Sequence, residues 1–308
     1  MAKAPRFETL TAEMPLGEAA RTIVRGLLEA VLEETPRVLR GDDVEAVHDA
    51  RVAIRRLRTA LETFRKPLGS GPGPFERAVR RLGRRLGGVR DADVHLAALR
   101  GTLGGATVDE APGIVSLLES IAAERRRALA AFAVEMSQFN RDGFFAALDG
   151  AVEGSRAAKP LAQHVHHTLR KQLGRVRKCG DRVIERGSGA ELHALRVALK
   201  RLRYGIEFFR SILPDDGASA ALTLLAKAQE RLGTISDDDA FSAHYATLLA
   251  SLDGSDARRA GIEARRTTVA HQREHELAGL RALWENGGEA PYPKRLRASV
   301  RAALDALV

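Results

Sequence analysis

Two segments of this chain carry a histidine and three cations at helical spacing. His48, Arg51, Arg55 and Arg58 stand at i, i+3, i+7 and i+10, and His193, Arg196, Lys200 and Arg203 repeat that spacing 145 positions later. At about 100° per residue, each set falls within an arc of roughly 80° and occupies one helix face. Such a row suits an anion of several charges, because Arg grips two oxygens at once and a protonated imidazole adds a donor. Ala53, Ile54, Leu57, Leu61 and Phe64 form a separate apolar stripe, matched by Ala198, Leu199, Leu202, Ile206 and Phe209. Like charges at this spacing cost about a few tenths of a kcal/mol per pair, and only Glu62 and Glu207 stand close by as counter-ions. Between residues 48–66 and 193–211, ten of nineteen positions are identical, and they include the polar face as well as the apolar one. A solvated surface explains one basic helix but not a repeated basic face. The two faces read as one anion site built twice.

The flanking elements must position these helices. Residues 1–15 read as a loose leader. An amphipathic helix from Leu16 to Glu34 closes near Thr35-Pro36, and Asp42-Asp43 supply an N-cap for the His48 helix, which runs to about Lys66. The stretch from Pro67 through GSGPGP to Pro74 reads as a breaker loop. A basic helix from Phe75 to Leu86 is expected to stop at Gly87-Gly88, with a new helix capped by Asp91-Ala92-Asp93. A long helix over Ile114–Met136 and a short segment over Phe144–Val152 complete an N-terminal half at 16–153, and GSRAAKP at 154–160 reads as a hinge. The C-terminal half, 161–308, repeats the plan. Its helices cover Leu161–Ile184, the His193 segment, Ala218–Leu232 with a stop at Gly233, a start at Ser236-Asp237-Asp238-Asp239, Arg258–Trp284 and Lys294–Leu307. In this register Arg170 answers Arg25, Lys227 answers Arg81 and Arg231 answers Arg85, so these cations and Arg21 form a second tier of site candidates.

Composition agrees with an all-α chain. Leu, Ala, Arg and Glu dominate and aromatics are only 5%. A net charge of +9 and a pI near 10.2 point to a polyanionic partner: nucleic acid, a phosphate polymer or an anionic membrane surface. One cysteine, Cys179, excludes an intramolecular disulfide framework and fits a reducing compartment. Residues 1–16 hold no apolar signal core, and no stretch approaches the roughly 18 apolar residues of a span. The expectation is a cytoplasmic protein of unspecified oligomeric state.

Rival chemistries have weaker signatures. The basic helices lack interleaved aromatics for base stacking, and no zinc finger, recognition-helix turn or RNP-type motif is present, though weak nucleic-acid binding is expected of so basic a surface. A metal-dependent phosphoryl-transfer enzyme would need carboxylates such as Asp91/Asp93 and Asp237/Asp239 around Mg²⁺, but helix capping accounts for acids at those positions. His271 and His275 stand i, i+4 and His164, His166 and His167 cluster, yet spacing implies no third ligand, so neither a metal nor a cofactor is expected. His48 and His193 either contact a ligand or pack between helices. Trp284, Phe64 and Phe209 read as packing residues.

The segments VHDARVAIRRLR from Val47 and LHALRVALKRLRY from Leu192, with LGxxxD at Leu86-Gly87 to Asp91 and at Leu232-Gly233 to Asp237, resemble the CHAD (conserved histidine α-helical domain) family over about residues 16–307. The resemblance implies two four-helix bundles related by a pseudo-twofold axis, with additional helices and a basic channel or groove between the halves that binds inorganic polyphosphate. In that reading Arg51, Arg55, Arg58, Arg196, Lys200 and Arg203 contact phosphate. His48 and His193 donate hydrogen bonds, and Arg21, Arg25, Arg81, Arg85, Arg170, Lys227 and Arg231 extend the track. Family members often travel with a CYTH triphosphate-processing domain or associate with polyphosphate granules. No ExExK signature of a CYTH domain occurs, so the likeness is to a stand-alone, non-enzymatic version. Lys200 departs from the pattern of Arg55, keeping charge but losing the bidentate fork.

Overall fold

The 3.6-residue periodicity of each repeat is realised as one half of an all-α fold. The computed structural model describes residues 5–69, 73–150, 157–286 and 290–307. The helices are α1 (Leu16–Arg40), α2 (Val44–Thr63), α3 (Arg65–Leu68), α4 (Gly73–Leu103), α5 (Ala111–Ser137), α6 (Arg141–Asp149), α7 (Leu161–Glu185), α8 (Gly189–Phe208), α9 (Asp215–Ala250), α10 (Arg258–Asn286) and α11 (Tyr292–Leu304). Each neighbour packs on the next along α1-α2-α4-α5 and along α7-α8-α9-α10, giving two four-helix bundles, with α6 against α1 and α11 on α9 and α7. The bundles meet through α2 with α8, α4 with α9, α5 with α10 and α1 with α7. One apolar core runs through both halves and contains Phe64, Phe209 and Trp284; a smaller one forms where α4, α5, α9 and α10 converge. In that smaller core His95 stacks on Phe241 at 3.8 Å and hydrogen-bonds the Tyr245 hydroxyl at 2.7 Å. Burial, and then His244, push the His95 imidazole down to about 3, so it is neutral.

Several boundaries differ from the sequence reading. α1 does not close at Thr35-Pro36; it runs through Pro36, next to which the Thr35 hydroxyl donates to the Val31 carbonyl at 2.8 Å. Its stop is Gly41, at φ +88°, whose N–H returns to the Val38 carbonyl. Gly87-Gly88 and Gly233 end nothing. α4 and α9 pass straight through them, and Asp91, Asp93, Asp237 and Asp239 are interior residues of long helices, not caps. Packing outweighs the roughly 1 kcal/mol that a mid-helix glycine costs, and at Gly88 the small residue is used, since a Cβ there would stand 3.4 Å from Ala128 of α5. Asp43 is an N-cap as expected, accepting from the Ala46 N–H at 2.8 Å.

Residues 5–15 are packed rather than loose. Phe7 and Leu10 are buried, Phe7 lies against Gly26, and the Met14 carbonyl accepts from the Leu161 N–H while Leu16 donates to Lys159. Parts of the expected breaker loop (70–72) and hinge (154–156) lie outside the described residues.

The crossing of α2 and α8 carries ion pairs that obey the pseudo-twofold relation. Arg56 donates to Glu207 at 2.9 Å, and Arg201 donates to Glu62 at 2.7 and 2.8 Å. Arg56 and Arg201 are equivalent positions, as are Glu62 and Glu207. The first pair is almost inaccessible, with side chains 5% and 7% exposed; the second is 37% and 53% exposed. Glu207 also accepts from Arg203 at 2.8 Å. Removing one partner of a buried pair strands a charge, whereas an exposed pair contributes little. Glu207→Ala is therefore expected to lower unfolding free energy by about 3 kcal/mol, and Glu62→Ala by less than about 1 kcal/mol. Urea denaturation of the two variants measures the difference, and equal losses would contradict it.

Candidate anion-binding site

α2 and α8 turn their basic faces toward a groove of about 480 Å³, lined by Arg51, Arg55, Arg58, Arg65, Arg80, His193, Lys200, Arg201 and Tyr204, with Glu62 and Glu76 as the acids of its wall. The predicted first-tier cations Arg51, Arg55, Arg58 and Lys200 thus come together from both repeats. Arg196 stands beside them, close enough for its charge to act on Lys200. Arg203 is turned away, held by Glu207 and by Gln229 at 3.1 Å.

The acids of the LGxxxD segments enter this constellation. Arg51 ion-pairs with Asp91 of α4, while Arg196 donates to Ser236 of α9 at 3.1 Å and feels Asp237. Residues i and i+2 on a continuous helix point about 200° apart. Asp93 and Asp239 accordingly face the other way and bind Arg125 of α5 and Arg273 of α10. Each LGxxxD helix therefore ties its basic helix on one side and closes its bundle on the other. Arg55 donates to the Tyr204 hydroxyl and sits 5.7 Å from that ring's centre.

Electrostatic stress collects at Lys200. Burial, then repulsion from Arg55, Arg196 and Arg51, pushes its ammonium down to about 6. Asp237 is pushed up by burial despite the attraction of Arg196, and Asp91 adds to the rise. Burial also lowers Arg196 and Arg58, the latter further by Arg80. The cations exceed the acids that answer them, and an added anion would relieve the excess.

His193 is exposed on the groove wall. His48 is half-buried, and burial, then the charge of Arg90, pushes its imidazole down. Second-tier positions divide. Arg25 is bound by Asp149 at 2.7 Å and stacks on Phe145; Arg81 is held by Glu135 at 2.8 Å; Arg231 donates to Glu276 at 2.8 Å. Arg85, Arg170 and Lys227 are exposed and Arg21 is half-buried, and none of the four lines the groove. Conversely, Arg65, Arg80, Arg201 and Tyr204 line it without having been singled out. Arg56 had a visible signal, since it is identical in the repeats yet lies off the histidine face, and Glu62, equally repeated, falls within that face.

Among the described residues, no helix is long and apolar enough to cross a membrane, and no group of three or more His, Cys, Asp or Glu is placed to hold a metal.

The CHAD domain profile matches residues 22–246. The fold is similar to the crystal structure of the CHAD domain from the plant Ricinus communis, with TM-score 0.72 and 25% identity over 91% of this chain and 94% of that one. It is also similar to PptA from Streptomyces chartreusis, with TM-score 0.61 and 18% identity over 88% of this chain and 100% of that one, a likeness of fold alone. No curated protein matches the chain. With the profile covering most of the sequence and the duplicated His-x-x-Arg helices facing one groove, this chain belongs to the CHAD family.

Proposed function

We propose that the groove binds inorganic polyphosphate, without catalysing its turnover, through Arg51, Arg55, Arg58, Arg196 and Lys200, with His193 as a donor on the wall. The observation that carries this reading is the convergence of both repeats' cations on one groove, where burial and then the neighbouring arginines weaken the hold of Lys200 on its proton. A polyphosphate chain presents closely spaced charges without bases, and a row of cations is what it requires. Base stacking is poorly served, because Tyr204, the aromatic ring in the groove lining, is 3% exposed and engaged by Arg55. Asp91 and Asp93, which an enzyme would use to hold Mg²⁺, are ion-paired with Arg51 and Arg125, and this favours binding over catalysis. Attachment to polyphosphate granules in the cytoplasm is the cellular role that such binding implies.

Calorimetric titration with long-chain polyphosphate and with single- and double-stranded DNA, at equal charge and salt, tests the ligand. Polyphosphate is expected to bind more tightly, with affinity falling as salt rises. The Arg51→Glu/Arg55→Glu/Arg196→Glu/Lys200→Glu variant should lose about a hundredfold or more, given four reversed contacts. DNA binding as tightly as polyphosphate would reverse the assignment.

Binding should also take up a proton. Below pH 6 Lys200 is already protonated and affinity is flat; above it, phosphate must restore the ammonium, so affinity falls by up to about tenfold per pH unit. Lys200→Arg should flatten the profile between pH 6 and 8, and an unchanged slope would exclude Lys200 from the site. Asp91 competes with the ligand for Arg51, so Asp91→Asn is expected to raise affinity about threefold, the worth of a half-exposed pair. The same titration reads the change.

A further inference from the structure

A second cavity, of about 700 Å³, opens on the α7 side of the α2/α8 crossing. Its rim carries Lys66, Lys159, His167, Lys171, Arg175 and Arg201, and Glu62 is its one acid. Lys66, Lys159, His167, Lys171 and Arg175 are exposed. Lys171 and Arg175 stand i, i+4 on α7, a like-charged pair that costs helix stability unless an anion answers it, and His167 adds an imidazole one turn before them. Thr59, Glu62 and Arg201 line this cavity and the basic groove alike. The two spaces therefore meet at the Arg201–Glu62 ion pair, which is half-exposed and held only by a surface-strength contact.

The pseudo-twofold relation predicts a matching cavity beside α1, and the chain has filled it. Lys171 corresponds to Gly26 and Lys66 to Ser211. A Cβ on Gly26 would stand 3.0 Å from the Phe7 ring, and the Ser211 hydroxyl donates to the Phe7 carbonyl at 2.9 Å. One side is thus plugged by Phe7 of the N-terminal segment, while its counterpart is open and lined with cations. Duplication by itself would have made both sides alike, so the difference lies in the residues that have replaced one another.

We propose that the α7-side cavity is a second anion site that receives the same phosphate polymer where it leaves the groove, so that the track extends past Arg201 toward Lys171 and Arg175 on this side only. The proposal rests on the polyphosphate reading of the groove. It adds a consequence which that reading lacks: ligands too short to span both cavities gain nothing from the second.

Calorimetry with tripolyphosphate and with long-chain polyphosphate tests it on three proteins. These are the wild type, Lys171→Glu/Arg175→Glu, and a charge-matched control, Arg177→Glu/Lys178→Glu, whose exposed positions on α7 line neither cavity. Long-chain affinity is expected to fall about tenfold in the first variant and less than about threefold in the control, reflecting lost contacts rather than net charge. Tripolyphosphate affinity should change by less than about twofold in both. Equal losses in the two variants, or none in either, would overturn the second site while leaving the groove standing. A wild-type protein that binds neither ligand would overturn both.

Discussion

The contact of α2 with α8 is the constraint from which the rest of the structure follows. Each helix brings a row of cations to the pseudo-twofold axis, and two such rows repel. The repulsion is opposed by the reciprocal pairs Arg56–Glu207 and Arg201–Glu62, which clamp the two helices across their crossing. Burial of Ile54, Leu57 and Leu61, and of Leu199, Leu202 and Ile206, on the other stripes anchors each helix in its own bundle. The cations are thereby held close instead of relaxing apart. Lys200, buried among Arg55, Arg196 and Arg51, registers this in its weakened hold on the proton.

The long helices α4 and α9 convert that contact into a rigid site. Because each continues through its glycine, acids two residues apart point in opposite directions. Asp91 reaches Arg51 of α2, while Asp93 reaches Arg125, which in turn donates to the Gly41 carbonyl at the end of α1. A pair of capped helices with a turn between them would have aimed both acids at backbone amides. The Arg51–Asp91 pair at the groove is half-exposed, whereas Asp93 is buried and structural.

Symmetry in this molecule is a property of the backbone more than of the lining. Thr59 is answered by Tyr204, Arg55 by Lys200 and Gly26 by Lys171. Each exchange alters what one side of the axis presents. Tyr204 caps Arg55, Lys200 brings a titratable charge where a guanidinium would stay charged, and the Phe7 segment closes one flank. A duplicated scaffold thus carries an asymmetric surface.

Much of this was legible in the residues. The i, i+3, i+7 spacing placed the cations on one face, the repeat announced two halves, and the Leu/Ala-rich stripes announced helices, since all three depend on short-range periodicity. Glycine and proline misled where local rules met packing: Pro36 and Gly87 lie inside helices because the surrounding contacts outweigh roughly 1–3 kcal/mol of propensity. The identity of Arg56 and Glu62 in both repeats was visible, but its meaning was not, because the partner of each lies about 140–150 residues away. By itself, then, the sequence determined the helices, their duplication and their charged faces, which follow from neighbours within two turns. Only the tertiary structure decided which cations share a groove, which are consumed by Asp149, Glu135, Glu276 and Glu207, and which flank of the axis stays open. Those outcomes depend on side chains brought together across the fold, where burial and distance set the energy of a charge.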